Sequence, residues 1–193
     1  MDNFILYFRL GLNHVLDILA YDHVLFIIVL TIIYNFNQWK KVVWLITFFT
    51  LGHSMSLSLA AYDIVHVPIT IVEFLIPVTI CITGFYNILR PSRPSGGKEK
   101  VIFSFALFFG LVHGLGFSNY FRLLIGKEDD KILPLIEFAF GIEAAQVVIV
   151  LCILILGMLL QNIFRVSKRD WILVGSSIVI GIAFPMVINR IFW

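Results

Sequence analysis

Long apolar runs broken by short polar linkers dominate this chain. A helix crossing a bilayer needs about 20 mostly apolar residues, and six runs approach that length: 21–36, 42–62, 67–89, 101–124, 132–162 and 171–191. The first is short for a span, and the fifth is long enough to require tilt or an extension beyond the membrane. Residues 3–20, apolar but broken by Arg9, Asn13, His14 and Asp17, read as an amphipathic segment, either interfacial or tucked against the bundle; a seventh helix there is the alternative. The predicted fold is an all-α, polytopic transmembrane helix bundle forming a single integral membrane domain over 1–193. A Pro-, Ser- and Gly-rich linker at 91–98 is its one flexible cytoplasmic break.

Composition agrees. Charged residues make up 13% and apolar residues 60%, whereas soluble domains carry about 25% and 45–50%. The net charge of +2 is too small to suggest nucleic acid. Lys40–Lys41, then Arg90, Arg93, Lys98 and Lys100, then Arg165, Lys168 and Arg169 fall in alternate linkers. The intervening linkers, with Asp63 and His66 and with KEDDK at 127–131, lack a positive excess. Lys and Arg mark cytoplasmic loops, so the expected protein is multi-pass in the cell (inner) membrane with both termini outside. Cys81 and Cys152 sit inside apolar runs and show no disulfide or CxxC pattern.

Chemistry must come from the polar residues within these runs, because an ionisable group at membrane depth is costly and marks function by default. The candidates are His14, Asp17, Asp22, His23, His53, Glu73, His113 and Glu143, with Gln146, Ser54 and Ser56 in support. At a rise of about 1.5 Å per residue, His53 lies about 14 Å, Glu73 about 9 Å and Glu143 about 17 Å from the outer ends of their helices. All candidates fall in the outer half. Imidazoles mixed with carboxylates are ligands for first-row divalent ions, and zinc, nickel and cobalt all suit them. Adjacent Asp22 and His23 point about 100° apart on a helix, so Asp22 is either a ligand in its own right or the carboxylate that orients His23. Glu137 reads as a charged collar and His66 as solvent-facing. Gly52, Gly110, Gly114 and Gly116 flank His53 and His113, where they let helices approach closely.

Five ordered segments carry a resemblance: GLNHVLDILAYDHVLF (11–26), FTLGHSMSLSLA (49–60), VEFLIP (72–77), FFGLVHGLGFS (108–118) and FAFGIEAAQ (138–146). Together they resemble the HupE/UreJ family of hydrogenase- and urease-associated membrane proteins. Ser56 replaces a usual Thr, the last segment lacks the family's Asn, and seven residues separate His14 from Asp22–His23. The resemblance implies that His14, Asp22, His23, His53, Glu73, His113, Glu143 and Gln146 are the family's polar motif positions. It also implies metal handling, since the family is described as nickel or cobalt permeases. The expected function is binding and transport of a divalent transition metal. The alternative is an intramembrane metal-dependent hydrolase, with Glu143 or Asp22 as general base and Ser54 or Ser56 positioning substrate. Expected partners are the lipid bilayer and the metal ion; homo-oligomerisation stays open.

Overall fold

A computed structural model of the chain describes residues 2–17, 21–90, 99–125 and 131–193. These form seven α-helices: α1 (Asp2–Leu16), α2 (Asp22–Thr31), α3 (Trp39–Ala61), α4 (Ile69–Leu89), α5 (Glu99–Ile125), α6 (Ile132–Asn162) and α7 (Lys168–Asn189). No strand occurs among the described residues. The linker 91–98 and most of KEDDK lie outside them.

Five helices, α3 to α7, are long and apolar enough to cross a membrane. Their outward faces are greasy, with Trp44, Leu123, Phe140, Val174 and Ile178 all exposed, as expected where lipid is the solvent. The predicted span at 21–36 is different. Its helix α2 has ten residues, about 15 Å, half of the roughly 30 Å hydrocarbon core. A turn at Ile32–Tyr34 and one 3₁₀ turn, Phe36–Gln38, then lead into α3. Residues 32–36 are apolar enough to extend the run by hydropathy but do not extend the helix.

Close helix crossings set the arrangement. Gly52 of α3 faces the backbone of Leu107 and Leu111, and Gly110 of α5 faces the carbonyl of Phe49 and the amide of His53. A β-carbon at either glycine would collide with backbone, so α3 and α5 touch main chain to main chain. The same reciprocal contact joins α1 to α6, where Gly11 faces Phe138 and Ile142 while Gly141 faces Phe8 and Leu12. The four glycines thus fasten two helix pairs.

The bundle end where Arg122 meets Asp63 at 2.6 Å and Lys131 donates to the Ala61 carbonyl at 2.9 Å is called the outer end, following the charge pattern. Asp63 ends α3 in the left-handed region (φ 57°), which Asp tolerates better than most residues. Phe4 and Phe8 line a cleft with Glu143, Ala144 and Val147, while His14 faces Phe138, so α1 runs antiparallel to α6. Its first residues point towards the inner end, and α7 closes at the outer end, where Arg190 donates to the Glu73 carbonyl. The expectation of both termini on one side counted six crossings; α1 adds a seventh segment.

Candidate metal centre

Four histidines from four helices converge. His14 closes α1, His23 opens α2, His53 lies midway along α3 and His113 midway along α5. The α3–α5 glycine crossing delivers the last two. Ligand atoms of His14, His23 and His53 all lie within 4.8 Å of one another. The ring of His113 sits 5.5 Å from that of His23, centroid to centroid. His53 and His113 are almost fully buried.

Hydrogen bonds engage one nitrogen of His23 and one of His113, and neither nitrogen of His53. His23 Nδ1 lies 3.1 Å from Asp22 Oδ1, and His113 Nδ1 lies 2.9 Å from the Phe109 carbonyl. Each partner accepts, so each Nδ1 carries the hydrogen, and in the neutral ring Nε2 is then left with a lone pair. Five buried ring nitrogens have no hydrogen-bond partner: His14 Nε2, His23 Nε2, both of His53, and His113 Nε2. An unmet buried polar atom costs about 1–3 kcal/mol, so this concentration is expensive unless something brought from outside satisfies it. Neutral imidazoles with inward lone pairs fit a divalent ion of the zinc, nickel or cobalt class.

Asp22 stands behind His23, its other oxygen 3.9 Å from the Arg190 guanidinium. That matches the orienting alternative, a carboxylate fixing the tautomer and direction of an imidazole, and it sets a negative charge near the cluster. Aromatic rings close the inner side. Phe26 stacks on Phe49 at 5.0 Å and meets Phe109 edge-on at 5.4 Å, and both Phe26 and Phe49 abut His113. On the outer side, Asn13, His14, Asp17, Phe117 and Tyr120 line a cleft of about 560 Å³. Asp17 therefore sits in the approach to His14.

Other candidates lie elsewhere. Glu143 belongs to the α3–α6 seam, where Thr47 and Thr50 donate to its two oxygens at 2.6 and 2.5 Å and Thr50 also reaches Gln146 at 3.3 Å. Glu73 is exposed on α4. The Ser56 hydroxyl donates to the carbonyl of His53 at 2.9 Å, whereas that of Ser54 is buried without a partner beside the Glu143 cleft. His66 is solvent-facing, its side chain 64% exposed. Glu137 is no collar: it is buried, and one carboxyl oxygen has no partner. The available signal was its place four residues before Gly141, on the face that α6 turns to α1.

A helical membrane bundle with a buried histidine cluster is the class this architecture defines. Within that class, the chain belongs to the HupE / UreJ protein family, whose model matches residues 1–190. No curated protein and no solved structure matches the chain.

Proposed function

We propose that this chain binds a divalent transition metal ion of the zinc, nickel or cobalt class and carries it across the membrane. His14, His23, His53 and His113 would hold the ion. The single observation behind this reading is the convergence of three histidines' ligand atoms within 4.8 Å, together with five buried ring nitrogens that lack partners. The family's description as nickel or cobalt permeases points the same way. With Lys40, Lys41, Arg165, Lys168 and Arg169 on the cytoplasmic side, the ion enters through the cleft at Asp17 and His14. It stops above the rings of Phe26, Phe49 and Phe109, which must part for it to continue inward. Asp22 fixes His23 and offsets part of the ion's charge.

A hydrolytic site has less support. A zinc hydrolase keeps an open ligand position with a base close by, but Glu143 is taken up by two threonines on another seam and Asp22 by His23.

The test is the metal content of mildly purified protein, measured by elemental mass spectrometry beside His53→Ala and His113→Ala. Near-stoichiometric metal in the wild type and none in His53→Ala is expected. If wild-type protein neither retains metal nor binds added zinc, nickel or cobalt, the reading is wrong.

A further inference from the structure

Glu143 lies about 17 Å along α6 from Ile132, near the middle of the bilayer, where an unpaired ionised carboxylate is costly. Among the described residues no cation forms an ion pair with it. Its partners are hydroxyls, and each hydroxyl has a second acceptor within reach. Thr47 Oγ1 is 2.6 Å from Glu143 Oε1 and 3.0 Å from the Val43 carbonyl. Thr50 Oγ1 is 2.5 Å from Oε2 and 3.3 Å from the side-chain oxygen of Gln146.

A hydroxyl has one hydrogen to donate and lone pairs to accept with, so this network closes in two ways. With Glu143 ionised, both threonines donate to the carboxylate. With Glu143 neutral, its own O–H donates to Thr47 Oγ1, the Thr47 hydrogen turns to the Val43 carbonyl, and Thr50 still donates to Oε2. No heavy atom moves between the two states.

We infer that Glu143, Thr47 and Thr50 form a proton site separate from the histidine cluster, and that its proton is the one coupled to metal movement. Glu143 carboxylate takes one proton, passed along the hydroxyls of the adjoining cleft from water at the outer end, and returns it the same way. No electrons move. The cleft, about 390 Å³, runs from Thr47 past Ser54 and Ser58 to Tyr62 and Ile132 at the outer end, and its remaining wall is apolar, with Leu51, Ile136 and Phe140 on the lipid-facing surface. Facing Glu143 are Thr47, Thr50 and Ser54 from α3, Phe4 and Phe8 from α1, and Gln146 from its own helix. The other titratable group lining the cleft is Tyr62, at its far end, with the Lys131 ammonium 5.6 Å over its ring.

Coupling follows from where the two sites sit. His14 rides on the α1–α6 pair and His53 on the α3–α5 pair, and Glu143 and its threonines bridge the same two pairs. One relative displacement of the pairs therefore alters both sites, which supplies the shared element that coupling requires. The coupling half of the inference rests on the transport reading; the proton site does not.

The experiment has two arms. Infrared difference spectra of the purified full-length protein, titrated without metal, are expected to show a protonated-carboxyl C=O band that Glu143→Gln removes and Thr47→Val shifts. Absence of any Glu143-dependent band across the titration would overturn the proton site. In proteoliposomes, an inward proton gradient is expected to accelerate zinc or nickel uptake by wild type. Glu143→Gln should lose that acceleration while binding as much metal per chain. Uptake indifferent to the gradient overturns the coupling. A normal infrared band with no uptake under any condition overturns transport and leaves the proton site standing. If Glu143→Gln does not fold, Glu143→Asp and Thr47→Val shift the same band and take its place.

Discussion

Around Glu143 each carboxylate oxygen meets a threonine hydroxyl, while at the histidine cluster five ring nitrogens meet nothing. Both regions are polar, both lie within the bundle, and both take side chains from α3. The difference shows what each is built to receive. The Glu143 carboxylate, met at both oxygens by hydroxyls of its own chain, needs at most a proton to change state, while Gln146 Nε2 and Ser54 Oγ beside it stay without partners. A set of lone pairs left open at the cost of several unmet hydrogen bonds is shaped for a partner from outside the chain.

Several substitutions break or sharpen that contrast. The largest effect is expected from His53→Ala, which removes two of the five open nitrogens; bound metal should fall from near one ion per chain to none. Gly110→Ala should come next, destabilising the bundle by about 1–3 kcal/mol through a methyl forced against the Phe49 carbonyl. A lowered thermal midpoint in detergent, with reduced metal content, would register it. Asp22→Asn leaves every open nitrogen in place but loosens His23, and metal affinity should drop by about 10–100-fold, as read by competition with a chelating dye. Glu143→Gln should leave metal content unchanged, because its carboxyl is no part of the cluster; loss of the metal would erase the distinction between the two regions. The smallest effect belongs to the exposed Asp63–Arg122 pair. The Arg122 hydrogen bond holds the Asp63 carboxyl below its usual range, so the contact is intact above that range and lost as pH falls through the lowered value. Arg122→Ala should leave metal content unaltered at neutral pH.

The sequence revealed helices and depth more readily than direction. Hydropathy found the five long spans because each fills a bilayer with apolar residues. It overestimated 21–36, since Ile32, Ile33 and Tyr34 are apolar whether or not they are helical. Counting from helix ends put Glu143 in the same layer as His53, and the two helices do pack side by side. Depth carries no azimuth, however. Glu143 is five residues beyond Phe138, which faces the histidines, and five residues turn a helix through about 500°, leaving the two side chains about 140° apart. The glycines beside His53 and His113 were legible as a close crossing because they flank the candidates. Gly11 and Gly141 make an equivalent contact but lie in helices whose pairing no local pattern announces. Glu137 was misread for a related reason: nearness to a helix end suggested water, and the side chain is buried instead.

The aromatic floor beneath the histidines also has an electrical consequence. An open cleft reaches His14 from one side, while the rings of Phe26, Phe49 and Phe109 pack together on the other. Membrane voltage falls mainly across regions that exclude water and ions, so most of it drops below the cluster, not above it. For each elementary charge the whole drop is worth about 2.3 kcal/mol per 100 mV. On the transport reading proposed above, a doubly charged ion would reach the histidines almost free of the membrane potential, and nearly all the voltage dependence would fall on its passage through those three rings.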